Sequence, residues 1–197
     1  MAQESKSKVV IIGGGPAGCI CGYFLQDRFD VSIIEKNSPL KTLLPTGGGR
    51  CNLAHAEFDF KELAKNYPRG EKFLYSVFSK FATSDTLDFF DKIGVETYIQ
   101  ENMRIFPKSD SAKDVREHFL QALKKVRFIK ENALRINQVE KGFSVVTDMG
   151  AYKADFVVVA TGGHAIYDLI KMLGHKIIEP KPALVGLLTK EKFAPIS

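Results

Sequence analysis

Val9-Val10-Ile11-Ile12 is an unbroken β-branched run that stops at Gly13-Gly14-Gly15-Pro16-Ala17-Gly18 and leads into a helix-like stretch reaching Phe29. A buried strand, a glycine turn and a helix in that order form the arrangement that cradles a dinucleotide pyrophosphate. Residues 31–35, Val-Ser-Ile-Ile-Glu, read as a second parallel strand ending in an acid. Glu35 lies 17 positions past Gly18, near the expected spacing of about 20. A turn that merely needs glycines would not require the strand, helix and acid to fall in register.

Each residue type has a physical task in that reading. Gly13 permits the tight turn, Gly15 leaves room for backbone N–H groups to approach phosphate, and Gly18 lets the helix close on the strand. Pro16 suits a first helical turn, where its missing N–H had no intrahelical partner to lose. The free N–H groups and the positive end of that helix dipole then face the pyrophosphate. Glu35, followed by Lys36, can accept hydrogen bonds from the adenosine ribose. An acid at this position disfavours a 2′-phosphate and so argues against NADP in this site.

A chain of 197 residues can form one substantial core or two small lobes. No apolar run approaches the roughly 20 residues of a membrane span, and Met1 to Lys8 is polar, without the apolar core of a signal peptide. A cytoplasmic location with no membrane partner is the expectation. The three cysteines form no CxxC pair, there is no HExxH, and the histidines at 55, 118, 164 and 175 are scattered, so no metal is expected. Cys19 and Cys21 stand two apart on the first helix and read as packing residues. The net charge of +5 is mild, with one cluster at Lys124, Lys125, Arg127 and Lys130 that is too small to argue for nucleic acid. Oligomeric state is left open.

Residues 37–56 are rich in Gly, Pro, Thr and Asn and read as a long loop of the kind that is usually functional. Residues 59–66, 71–81 and 83–92 have helical patterns, with Thr83-Ser84-Asp85 as a cap region. A short strand pair over 95–99 and 103–106 precedes a helix from Ser109 to Lys125, and Ser109 reads as its cap in preference to a substrate-side group, the alternative it shares with Arg104. The period then becomes strand-like. Val126–Ile129 reads as a parallel strand, and 133–139, 142–147 and 151–153 as an antiparallel meander. Asp155–Ala160 reads as a central buried strand ending in a second glycine turn, Ala160-Thr161-Gly162-Gly163. A helix over 166–173 is expected to stop at Gly174.

The run Thr46-Gly47-Gly48-Gly49-Arg50-Cys51-Asn52 resembles the TGGGRCN element of the BaiN-like flavoproteins, also called the YhiN or aminoacetone-oxidase-like FAD-binding family. Three further stretches agree in order: Arg104 to Ser109, Val158 to Gly163, and Leu173-Gly174-His175 followed by Pro182-Ala183-Leu184-Val185. The resemblance implies an α/β fold: an FAD/NAD(P)-binding, Rossmann-like three-layer domain with a parallel sheet and an antiparallel β-meander. Residues 1–180 form that domain in this reading, with a helical insertion at about 57–125. Residues 181–197 begin a second domain, and the chain reads as truncated, because family members run to about twice this length.

The resemblance also implies an extended, noncovalent FAD. Gly13, Gly15, Pro16, Ala17 and Gly18 would meet the pyrophosphate, and Glu35 and Lys36 the adenosine ribose. Gly48, Gly49, Arg50, Cys51 and Asn52 would run along the flavin side, and the backbone of Ala133 would clasp adenine. Ala160, Thr161, Gly162 and Gly163 would pass beneath the ribose and pyrophosphate. The implied reaction moves a hydride between NADH or NADPH and a small organic substrate through FAD, with no side chain identified as catalytic acid or base. A noncatalytic nucleotide-binding fragment and a flavin-dependent RNA-modifying enzyme remain as alternatives. The chain departs from the family at Met103, where relatives tend to carry Gly, and after Gly163, where the family's longer loop is shortened.

Overall fold

The structure is a computed structural model that describes residues 6–163 and 167–178. Expectations for His164 to Ile166, for Pro182 to Val185 and for the second domain over 181–197 lie outside the described residues. In chain order the elements are β1 (Lys8–Ile12), α1 (Pro16–Leu25), β2 (Asp30–Ile34), β3 (Ala54–His55), α2 (Phe60–Lys65), α3 (Glu71–Phe78) and α4 (Thr83–Lys92). Then follow β4 (Thr97–Ile99), β5 (Arg104–Pro107), α5 (Ala112–Ala122), β6 (Arg127–Ile129), β7 (Ala133–Gln138), β8 (Phe143–Thr147), β9 (Ala151–Ala154), β10 (Phe156–Val159) and α6 (Tyr167–Lys171).

The main sheet runs β10-β1-β2-β6, and every pairing in it is parallel. Ile11 stands between Ile33 and Val158 in register. Because side chains alternate along a strand, the sheet buries both of its faces. Val9, Ile11, Val31 and Ile33 point to one side, where Val115 and Phe119 of α5, Phe89 and Phe90 of α4 and Cys19 of α1 complete a core. Val10, Ile12 and Ile34 point to the other, against Ile136, Val145 and Ala154 of the antiparallel β7-β8-β9 meander and Leu169 of α6. Helices, sheet and meander are the three layers.

One expectation is corrected here. β10 is the outer strand of the sheet among the described residues, and the central position belongs to β1. Phe156 is 53% exposed, and Val157 to Val159 are only half-buried. A run of Val cannot by itself tell a central strand from one whose apolar faces are covered while its edge is open.

The long connection from β2 to β6 holds α2 to α5 and a small sheet of order β3-β5-β4. Its last helix, α5, sends Ala112, Val115 and Phe119 into the main core, as the crossover helix between two parallel strands must. The stretch expected to be loop thus ends in a strand, with Ala54 opposite Ile105. Two caps differ from expectation. Ser111, not Ser109, caps α5, its Oγ accepting the Asp114 N–H at 3.2 Å. At α4 the cap position is Ala82, whose N–H is taken by Asp85 at 2.9 Å, while the Thr83 hydroxyl donates to the His55 carbonyl. Gly174 does end the α6 segment, at φ +86°, with the His175 N–H reaching back to the Ile170 carbonyl.

Candidate functional site

At the carboxyl end of β1 the Gly13 N–H donates to the Ile34 carbonyl, which ties the glycine turn to β2. Gly13 has φ +108°, and a Cβ there would lie 2.4 Å from the Ala160 carbonyl oxygen, so β10's glycine turn passes directly against it. A Cβ on Gly18 would sit 1.9 Å from the Gly13 carbonyl oxygen. Gly18 is therefore a packing glycine beneath the turn. At Gly15 a Cβ would meet nothing nearer than the Thr42 hydroxyl at 3.8 Å, because this position faces an open cleft.

Gly15 caps α1 with no side chain, and no acid occupies the first turn. Among the described residues no protein acceptor takes the N–H of Gly15, Ala17 or Gly18. Unpaired amides at the positive end of a helix dipole are the elements of an anion site. Across from them, the Glu35 carboxylate accepts the Gly14 N–H at 2.8 Å and the Asn37 N–H at 2.7 Å, which fixes its position beside the turn.

Two adjoining cavities follow from this geometry. One, of about 460 Å³, is lined by Gly13 to Ala17, Glu35 to Ser38, Lys41, Thr42, Ala160 to Gly162 and Tyr167, among others. The second, of about 340 Å³, shares Gly13, Glu35, Lys36, Thr42, Thr161 and Gly162 with the first and extends to Glu131, Asn132, Ala133 and Gly163 over a floor of Ile12 and Ile34. Gly13, Gly15, Pro16, Ala17, Glu35, Lys36, Ala133 and Ala160 to Gly163 are therefore brought together from four separate parts of the chain.

Gly48, Gly49, Arg50, Cys51 and Asn52 line neither cavity. They form a tight turn after Thr46, with Gly47, Gly48, Gly49 and Cys51 all at positive φ. The turn is stacked on the small sheet, where a Cβ at Gly47 would come within 2.7 Å of the Phe106 ring. The Arg50 guanidinium lies 4.1 Å from the centre of that ring and 3.9 Å from Asp110. Cys51 is 1% exposed, and burial pushes its thiol up. Cys19 is pushed further, to about 12, by burial and then by the charge of Glu35. Neither thiol is poised as a nucleophile. Met103 adopts φ +61°, the conformation that the expected glycine would adopt freely.

Sequence reasoning missed four participants. Gly14 packs its Cα against Glu35, where a Cβ would come within 2.9 Å of the acid's own Cβ. Thr42 forms part of the wall opposite Gly15, and Leu40, fully buried at φ +57°, donates its N–H to the Gly14 carbonyl at 2.7 Å to hold that wall in place. Glu131 lines the second cavity. A polar residue between parallel β6 and the first strand of the antiparallel meander is the sequence signal that marks it. Among the described residues no helix is long and apolar enough to cross a membrane, and no group of three or more His, Cys, Asp or Glu could hold a metal.

The HI0933-like protein Rossmann domain model matches residues 7–180. A 3-dehydro-bile acid delta(4,6)-reductase of Clostridium scindens is 30% identical over 202 residues, which cover 94% of this chain and 48% of the reductase. The chain thus spans about half the length of this curated relative. Among solved structures, L-proline dehydrogenase from P. horikoshii superposes with a TM-score of 0.53 at 19% identity, over 90% of this chain and 58% of that one. Glycine oxidase from Geobacillus kaustophilus gives 0.51 at 16% identity, over 86% and 59%. At these identities the two structures show the shared fold.

Proposed function

The chain belongs to the HI0933-like protein Rossmann domain family, and on that premise we propose that it is the dinucleotide-binding part of an FAD-dependent oxidoreductase. The observation that carries this reading is the uncapped, acid-free start of α1, opening on a cleft whose opposite wall holds Glu35 and Thr42. The residues fit the cofactor. The open position at Gly15 is a cradle that any side chain would fill, and small residues, Ala160 to Gly163, line the cleft beside it.

In this reading the N–H groups of Gly15, Ala17 and Gly18 receive the pyrophosphate, with Gly13 and Pro16 shaping the turn. Glu35 keeps lone pairs free for the ribose hydroxyls, and Lys36 adds positive charge beside them. The backbone at Ala133 meets the adenine, and Ala160 to Gly163 leave it room. Gly48 to Asn52 would run along the flavin side, with the Arg50 guanidinium, held over the Phe106 ring, as a nearby cation. FAD, when bound, supplies hydride transfer, here between NADH or NADPH and a small organic substrate. The reductase activity of the Clostridium scindens relative supports that class of reaction.

The test is the visible absorption spectrum of the purified chain after incubation with FAD and desalting. Retained flavin bands are the expected result, followed by bleaching on anaerobic addition of NADH or NADPH. A colourless protein overturns the binding claim; yellow protein that neither nucleotide bleaches overturns the assigned reductant.

A further inference from the structure

The cofactor cleft lies at the carboxyl ends of the parallel strands. At their amino ends, about 16 Å away when counted along β1 at one strand rise per residue, a cavity of about 380 Å³ is lined by Lys6, Lys8, Lys141, Lys153 and Asp155, among others. Three stretches of chain meet there. The Lys8 N–H donates to the Asp155 carboxylate at 2.7 Å and the Asp155 N–H donates to the Lys8 carbonyl at 2.9 Å, which ties the entry of β1 to the corner between β9 and β10. The turn between β7 and β8 closes on the same corner. Gly142 has φ +85° there, and a Cβ would lie 2.3 Å from the Ala154 carbonyl oxygen. Only glycine permits that approach, and it carries Lys141 to the cavity that Lys153 also lines.

The lysines of this cavity are poorly neutralised. Lys6 donates to the Asp27 carbonyl at 2.6 Å, and the Asp27 carboxylate is itself taken by Lys125 at 2.6 Å. Among the described residues the ammonium groups of Lys8, Lys141 and Lys153 have no carboxylate within ion-pair distance. Asp155 is the acid of the lining, and one of its oxygens is occupied by the backbone of Lys8. Asp30 of β2 stands opposite Lys8 in the ladder but outside the lining. Four lysines against one carboxylate leave three positive charges in excess around the cavity. Like charges gathered in this way repel one another, and the backbone contacts of the corner hold them together against that repulsion.

We propose that this cavity is an anion site, separate from the cofactor cleft, that takes a short phosphate chain. A ligand with several negative charges matches the lysine excess, and lysine meets phosphate as a point charge without demanding one fixed geometry. A chain of phosphates reaches ammonium groups from three segments at once, where a single phosphate does not. No aromatic side chain lines the cavity, so it offers none of the stacking platforms on which single-stranded nucleic acids lay their bases. A free oligophosphate and the triphosphate tail of a nucleotide share the chemistry that the site recognises. The site does not depend on the FAD reading.

The experiment is titration calorimetry of the intact chain with tripolyphosphate at low ionic strength, where such attractions are least screened. The expected result is saturable binding that weakens about tenfold or more in Lys141→Gln/Lys153→Gln, both exposed positions, with Tm in the absence of ligand unchanged. Tripolyphosphate held in the cofactor cleft would be untouched by these changes. Lys72→Gln/Lys113→Gln removes the same charge from exposed positions on α3 and α5 and is expected to alter the affinity by less than about twofold. Equal weakening in the two double variants overturns the proposal, because it marks attraction by net charge alone, and so does an unaltered affinity in Lys141→Gln/Lys153→Gln. ATP separates the two sources: the same dependence on Lys141 and Lys153 assigns a nucleotide tail, and its absence assigns a free phosphate chain. A single-stranded oligonucleotide that displaces tripolyphosphate and depends on the same two lysines overturns the choice of ligand.

Discussion

The glycines of the first turn divide into two kinds, although the motif writes them alike. A methyl group at Gly18 must displace the Gly13 carbonyl, 1.9 Å away, whereas at Gly15 it enters open space with φ at an ordinary −76°. Gly18→Ala is accordingly expected to destabilise the fold by about 3 kcal/mol, the upper end for overpacking. Gly15→Ala should stay within about 0.5 kcal/mol of the parent in urea unfolding, yet lose about tenfold or more in FAD affinity. If Gly15→Ala bound FAD as well as the parent, the cleft would not be the phosphate site. The cysteines allow a second check at this scale. With Cys19 and Cys51 buried, alkylation of the native protein at mildly alkaline pH should modify half-buried Cys21 first, and all three should react only after unfolding.

Helix ends show where local sequence signals suffice and where they mislead. Asp59 caps α2 by accepting the N–H groups of Lys61 and Glu62, and its carboxyl is held below its ordinary value chiefly by the Glu62 N–H and then by that of Lys61. A lowered carboxyl stabilises the native helix above the unfolded value near 4, about where an exposed Asp titrates, and the benefit is lost as pH falls through the folded value. Protection factors of the α2 amides, corrected for intrinsic exchange, should therefore fall in acid, and Asp59→Asn should flatten that dependence. For α5 the two serines give a direct contrast. Ser111→Ala is expected to cost about 1 kcal/mol in urea unfolding and Ser109→Ala almost nothing; the reverse order would restore Ser109 as the cap. Sequence pattern located β1, α1, β2 and the meander because each carries an undiluted period. It placed β10 at the centre because Val157 to Val159 report apolar faces and say nothing of which strands pair with it, and among the described residues β1 is its neighbour. The resemblance assigned Gly48 to Asn52 to the flavin side, a placement that pattern alone does not reach, because glycine reveals backbone freedom without direction; of this turn Gly47 packs against Phe106, and residues 48–52 line neither cavity. Thr42 and Glu131 were illegible because their partners come from elements distant in sequence.

On the scale of the whole molecule, the helix layer and the meander grip opposite faces of one parallel sheet, and the cavities open at the carboxyl ends of its strands. Ligands of open parallel sheets bind at such ends. A ligand that bridges the glycine turns of β1 and β10 should stabilise the fold as a unit. At FAD concentrations about 100-fold above the dissociation constant the expected gain is about 2.7 kcal/mol, or roughly 5–10 °C in Tm for a chain of this size. Calorimetry with and without FAD checks it, and an unchanged Tm at saturation would mean that the ligand touches only a locally opened segment.

The neighbour of β1 on one side is β2, close in sequence, and on the other β10, whose entry is marked by the Lys8 N–H donating to Asp155, 147 residues away. During synthesis the first glycine turn therefore emerges long before the wall it needs. Chains halted on the ribosome at increasing lengths should stay blind to flavin while the helices and meander accumulate. They should acquire it abruptly once Gly162 has cleared the exit tunnel, so that cofactor capture serves as the signal that β10 has arrived.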